Sequence, residues 1–260
     1  MLRPRLIPCL LVQNQGLVKT RHFGEPKYVG DPINAVRIFN EKVVDELMVV
    51  DIDATAKGRE PDYRMIANLA NECRMPLCYG GGVTTVEQIE RIIGLGVEKV
   101  AISSAAIARP ALIDEAAARV GAQSVVVVLD LRKSGLLRRI ELVTHNATRK
   151  TGIDPAVFVR EATARGAGEI VLNNVDRDGM MEGYDLDLVE RLRCETSLPM
   201  TVLGGAGTLD HVAELWQAQG IIGAAAGSLF VFKGKYRAVL ISYPNPNEKA
   251  ALLAGAGWSS

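Results

Sequence analysis

Two glycine-rich turns, each with hydroxyls close behind, are the residues of this chain best suited to chemistry. Gly80-Gly81-Gly82 is followed by Ser103-Ser104, and Gly204-Gly205 by Gly227-Ser228. Glycine lets the backbone approach an anion and aim N–H groups at it, and a helix start that follows adds partial positive charge. The serine hydroxyls suit phosphate oxygens. A glycine pair after a strand is also an ordinary turn former, and one pair alone would be weak evidence. Two such devices imply a small ligand with a phosphate at each end. Asp178 and Gly179, in VDRDG (175–179), are grouped with the phosphate-binding candidates.

The elements that must hold these turns follow an alternating pattern. Short apolar runs at 5–12, 47–53, 76–80, 98–103, 124–131, 169–175, 199–204 and 221–226 are separated by longer helical patterns. Continuous apolar runs of that length predict parallel strands buried on both faces. Asp31-Pro32 and Asp154-Pro155 each join an N-cap acid to a proline at the first helical position. Thr84 followed by Glu87 predicts a capping box.

The pattern is written twice. Asp154 minus Asp31 is 123, Asp176 minus Asp51 is 125, and Gly204 minus Gly80 and Ser228 minus Ser104 are both 124. VDIDA (50–54) is echoed by VDRDG. Two separate half-size domains would give the same repeat, but no linker-like stretch divides the chain near residue 120. The expectation is an α/β fold, a single (β/α)8 TIM barrel over 1–243, with half-barrels of about 1–120 and 121–243. Residues 244–260 read as a weakly ordered C-terminal tail.

Bulk composition narrows the partners. The chain has 260 residues, 48% hydrophobic, enough for one large core. Lys+Arg and Asp+Glu are both 30, so no overall field favours nucleic acid or a membrane surface. Cys9, Cys73, Cys78 and Cys194 lack zinc-type pairing with His22, His145 or His211, and read as reduced thiols of a cytoplasmic protein. Neither a metal nor a cofactor is expected. The apolar run in MLRPRLIPCLLVQNQG is too short to span a bilayer and reads as a first strand.

Taken in order, RLIPCL, VKT, VGDP, DELMVVDIDA, YGGGV, VEKVAISSAA, TGIDP, GAGEIVL, VDRDGMMEGYD and GGAG resemble the cyclase subunit of imidazole glycerol phosphate synthase over nearly the whole chain. The resemblance implies a barrel that takes ammonia from a glutaminase docked on its N-terminal face. It implies joining that ammonia to a bis-phosphorylated ribulosyl intermediate, giving an imidazole and an aminoimidazole carboxamide nucleotide. Two aspartates at the ends of strands one and five are the family's general acid and base.

Asp130 matches the strand-five acid, whereas the strand-one position is Leu11, which carries no proton. Asp53, Asn173, Met180 and Leu203 also depart from the pattern the resemblance leads one to expect. Asp53 is a candidate relocated acid, and equally a loop organiser. Arg5, Glu46, Lys99 and Glu169 match the family's charged gate to an ammonia passage; from charge placement alone they fit a stabilising ion cluster as well. Gln123 matches a position facing the glutaminase. The RAVLISYP ending (237–244) resembles a diverged branch associated with acetamidino modification of bacterial surface-polysaccharide sugars, in which a separate sugar amidotransferase also acts. Three expectations stay open: an ammonia-delivering subunit of that branch, a working histidine-biosynthesis cyclase, and a phosphoribosyl-ligand-binding scaffold without chemistry.

Overall fold

Valine, isoleucine and leucine dominate the eight apolar runs, and each forms a strand with both faces covered. The computed structural model describes residues 3–135, 139–234 and 236–258. The barrel strands are β1 (Arg5–Gln13), β2 (Leu47–Asp51), β3 (Leu77–Gly80), β4 (Lys99–Ile102), β5 (Val125–Ser134), β6 (Glu169–Asn174), β7 (Met200–Leu203) and β8 (Gly223–Ala226). They pair in parallel in the order β6-β7-β8-β1-β2-β3-β4-β5, and β5 pairs with β6 to close the ring. The expected (β/α)8 barrel is thus observed.

Helices α1 (Pro32–Glu41), α2 (Tyr63–Glu72), α3 (Val86–Gly94), α4 (Ala111–Val120), α5 (Pro155–Ala164), α6 (Leu186–Arg193) and α7 (Leu209–Gln219) follow the first seven strands. The Asp31 carboxylate accepts from Asn34 N–H, and that of Asp154 from Ala156 and Val157 N–H, as the Asp-Pro pairs predict. The capping box before α3 is shifted by one residue. It uses Thr85 and Gln88, not Thr84 and Glu87, because the chain leaving β3 puts Thr85 in the extended conformation an N-cap requires.

Apolar side chains form two shells. The larger lies between strands and helices and includes Phe39, Phe158 and Trp216. The smaller fills the lumen with Ile7, Cys9, Met48, Cys78, Ala101, Val126, Val171 and Ala225, topped by Leu11, Val50, Val128 and Leu203. Burial pushes the Cys9 thiol up to about 12 and that of Cys78 well above its usual value, so both are un-ionised packing groups.

Residues 246–255, expected within a weakly ordered tail, form a capped helix, α8 (Pro246–Gly255). Asn245 and Glu248 make a complete capping box. Lys249 pairs with Asp45, whose other oxygen accepts from Leu6 N–H at 3.0 Å, and the Tyr243 hydroxyl donates to the Leu6 carbonyl at 3.0 Å. The segment is thereby tied to the start of β1. No helix among the described residues is long and apolar enough to cross a membrane.

Candidate active site

Every βα connection leaves the barrel at the same end, and three of them are long enough to fold back. A hairpin after β1 (Gly16–Arg21 with Gly24–Gly30) leans across the mouth towards the β6 loop. A second hairpin extends β5 into Arg139–Thr144. Together with the β2 loop they enclose a cavity of about 540 Å³.

The strand-three and strand-four turns open into this cavity. Gly81, Gly82, Ser103 and Ser104 all line it. Gly81 has φ +112°, and a Cβ there would strike the Asp51 carbonyl, so the turn demands glycine. The strand-seven turn has the same demand: Gly205 has φ +117°, and its Cβ would strike the Gly183 carbonyl. Gly204, Gly227 and Ser228 complete that second turn, behind Lys19. The Lys19 ammonium lies against Gly227, and the Thr20 carbonyl against Gly179, while Lys19, Thr20 and Asp178 themselves line the cavity.

Asp178 latches the first hairpin. Its carboxylate accepts from the Thr20 hydroxyl at 2.6 Å and Phe23 N–H at 3.2 Å, and its carbonyl accepts from His22 N–H at 3.1 Å. Sequence reasoning groups Asp178 with phosphate binding; the structure gives it three contacts to loop backbone and hydroxyl. Lys19, which the sequence offers only within the VKT motif, is a second residue placed here by the hairpin. It is only 6% exposed, and an ammonium so far out of water favours an anionic neighbour.

Asp130 and Leu11 both face the cavity. Burial raises the Asp130 carboxyl to about 6, against the opposing pull of hydrogen bonds from Asn173 at 2.8 Å and Ser103 at 3.4 Å. A carboxyl poised there can exchange a proton near neutral pH. Leu11 presents only methyl groups, and with Val50, Val128 and Leu203 it makes the lumen side of the mouth apolar.

Asp53 does not fill the gap. The cavity is lined by its neighbours Asp51, Ile52 and Ala54, whereas the Asp53 carboxylate is 5% exposed and bound to Gln13 at 2.9 Å and to Lys57. Burial alone would raise its pKa; Gln13, Lys57 and Arg59 hold it below the usual value. It organises the β2 loop. Asp51 does similar work by accepting from Asp53 and Ala54 N–H.

At the opposite end, Arg5, Glu46, Lys99 and Glu169 meet in one closed ring. Arg5 pairs with Glu46 and, at 2.6 Å, with Glu169; Lys99 lies 2.9 Å from both carboxylates. Thr201, which sequence reasoning missed, donates to Glu169 at 2.6 Å. Burial opposes ionisation of Glu169, but Arg5 and Lys99 outweigh it and hold the acid at about 2. Gln123 is exposed in the short turn Ala122–Ser124, just before β5.

The barrel with its mouth cavity and the charged ring under its lumen belong to a chain with many relatives. The family model described as histidine biosynthesis protein matches residues 5–237. The chain belongs to that family. It is 56% identical over 252 residues to a Leptospira borgpetersenii protein provisionally named imidazole glycerol phosphate synthase subunit HisF, covering 97% of this chain and 99% of that one. It is 50% identical to a Pseudomonas aeruginosa protein provisionally named imidazole glycerol phosphate synthase subunit hisF2, covering 95% and 98%. With the Micrococcus luteus imidazole glycerol phosphate synthase subunit HisF it shares 39% identity, covering 88% and 90%.

Proposed function

We propose that this family member is the synthase-type subunit of a glutamine-dependent amidotransferase complex, with its ring-closing chemistry weakened and ammonia delivery as its main task. The single observation carrying this reading is the pairing of one ionisable carboxyl, Asp130, with Leu11 at the cavity wall. Losing a positioned acid or base costs about 10²–10⁴-fold in rate. A glutaminase would dock on the N-terminal face around Gln123, the ring of Arg5, Glu46, Lys99 and Glu169 would gate ammonia, and the apolar lumen would keep it neutral. The two glycine turns and Lys19 would hold a bis-phosphorylated ligand. The RAVLISYP ending supports placing the complex in acetamidino-sugar formation for a surface polysaccharide, beside a sugar amidotransferase.

Excess ammonium salt with the ribulosyl intermediate tests the reading on purified protein. Turnover should fall at least about 10²-fold below that of a cyclase with both acids. The gene should also fail to rescue a histidine auxotroph lacking the cyclase when a matching glutaminase is supplied. Robust growth would defeat the proposal. It would favour the second reading, a working histidine-biosynthesis cyclase, which the near-neutral Asp130 carboxyl supports.

A further inference from the structure

The hairpin after β5 ends in an unusual turn. His145, Asn146 and Ala147 have φ of 53°, 55° and 59°, three successive non-glycine residues in the left-handed region. Such a run is sterically uphill and persists only where its surroundings hold it. Here four contacts do so. The Asn146 side chain donates to the Ile52 carbonyl at 2.7 Å, His145 N–H donates to the Ser104 hydroxyl at 3.3 Å, and Thr148 N–H and Oγ1 return to the His145 carbonyl. Ala147 is buried against Val143 and Val175, with Phe23 of the first hairpin packed on the cluster. The turn is therefore fastened to the ends of β2 and β4, beside the strand-three and strand-four glycine turn.

This fastening sets His145 and Asn146 in the cavity wall with Ser103, Ser104, Gly81 and Gly82. The imidazole Nδ1 is 3.1 Å from Thr144 Oγ1, and Nε2 is 3.3 Å from Arg149 Nη1. Arginine only donates, so Nε2 accepts, and the neutral ring carries its proton on Nδ1. Burial and the Arg149 charge hold the imidazole below its usual pKa. The other charged groups around the same cavity are Lys19 on the first hairpin, Asp51, Arg59 and Glu60 on the β2 loop, Asp130 on β5 and Asp178 after β6.

We propose that this turn is a clamp on the anion held at the strand-three and strand-four turn, and that His145 is its proton-accepting contact to that anion. The inference rests on the phosphate reading given above. A dianion arriving between Ser104 and the imidazole draws the Arg149 guanidinium off Nε2 and offsets its charge, so Nε2 takes up a proton from solvent and donates it in a hydrogen bond to the anion. Binding at this turn then draws in one proton and strengthens as pH falls.

Sulfate is the probe, because it stays a dianion across the pH range, whereas a phosphate ester changes its own charge. The full chain with labelled histidine is titrated with sulfate at pH 6 and pH 8, following Gly81 and Ser104 amide and His145 imidazole signals. Sulfate should bind about fivefold more tightly at pH 6, with the His145 ring nitrogens moving to their protonated positions. His145→Asn, which tolerates the left-handed conformation, should remove the pH dependence and lower the affinity at pH 6; His145→Gln repeats the test with a longer amide. The same pH dependence in both variants, or imidazole signals unmoved while the Gly81 and Ser104 amides shift, overturns the clamp and spares the phosphate site. No shift of those amides in wild type overturns the clamp and the phosphate reading together.

Discussion

Asn173 and Asp130 face each other in register on β6 and β5, and the Asn173 carboxamide donates to the Asp130 carboxylate across 2.8 Å. The amide orients the acid without itself taking part in proton exchange near neutral pH. It also leaves the opposite wall unchanged, where Leu11 offers neither donor nor acceptor. The cavity therefore carries hydrogen-bonding capacity at Ser103, Asp130 and Asn173, whereas Leu11 on β1 and Leu203 on β7, beside Asn173, contribute only apolar surface.

The raised Asp130 pKa makes this site a liability to stability at neutral pH. The folded protein binds a proton between pH 3.8 and about 6 that the unfolded chain has released, so wild-type stability falls as pH rises through that window. The shift corresponds to about 3 kcal/mol, and the side open to the cavity reduces the realised value to about 1–2 kcal/mol. Asp130→Asn should be more stable than wild type by that amount at pH 8, with the difference vanishing near pH 4. Urea unfolding midpoints across pH 4–8 check it; a constant offset would place the penalty elsewhere.

Leu11→Asp should place a second carboxylate on the wall opposite Asp130 and raise ammonia-dependent cyclisation by about 10–10²-fold. Leu11→Asn is the control: it adds polarity without a proton and should leave the rate near wild type. Equal rates in all three proteins, with the ribulosyl intermediate still bound, would show that a carboxylate at position 11 is not what limits the reaction.

The barrel was legible because its eight strands are short apolar runs of fixed spacing, a signal that survives without knowledge of loops. The glycine turns were legible for a related reason, since Gly81 and Gly205 sit where any Cβ would strike backbone. Lys19 and His145 were not. Nothing local separates a buried lysine from a solvated one, and both residues reach the cavity only because hairpins fold over the mouth. The α8 helix shows a different failure: its Asn-Pro-Asn-Glu start carries a capping box, but the apolar residues behind it, Ala250 to Ala254, run together without the spacing of an amphipathic face. Asp53 shows that a carboxylate near a strand end cannot be given a direction from sequence, since Gln13 and Lys57 turn it away from the cavity into its own loop.

The ring below the lumen should be sensitive to losing any one charge. Glu169 is held at about 2, so its ionised form stabilises the fold above pH 4.5, and that contribution is lost as pH falls through about 2. Glu169→Gln leaves Arg5 and Lys99 sharing Glu46, and should cost about 3–5 kcal/mol at pH 7. The gap to wild type should narrow below pH 4.5. Thermal unfolding at pH 7 and pH 3 measures both; an unchanged midpoint at pH 7 would mean that water already compensates these charges.

Gly227→Ala separates the ligand role of Lys19 from the needs of the backbone. Gly227 has φ −105°, which alanine adopts freely, so the substitution introduces no left-handed strain. Its Cβ would displace the Lys19 ammonium and press on the Cys9 carbonyl at 3.0 Å, a crowding that costs about 1–2 kcal/mol of stability. If Lys19 holds a phosphate over this turn, affinity for a bis-phosphorylated ligand should drop about tenfold while a ligand phosphorylated only at the strand-three end loses little. Calorimetric titration with both ligands decides it. Equal losses for the two would point to general loosening of the mouth, and no loss for either would remove Lys19 from the binding site.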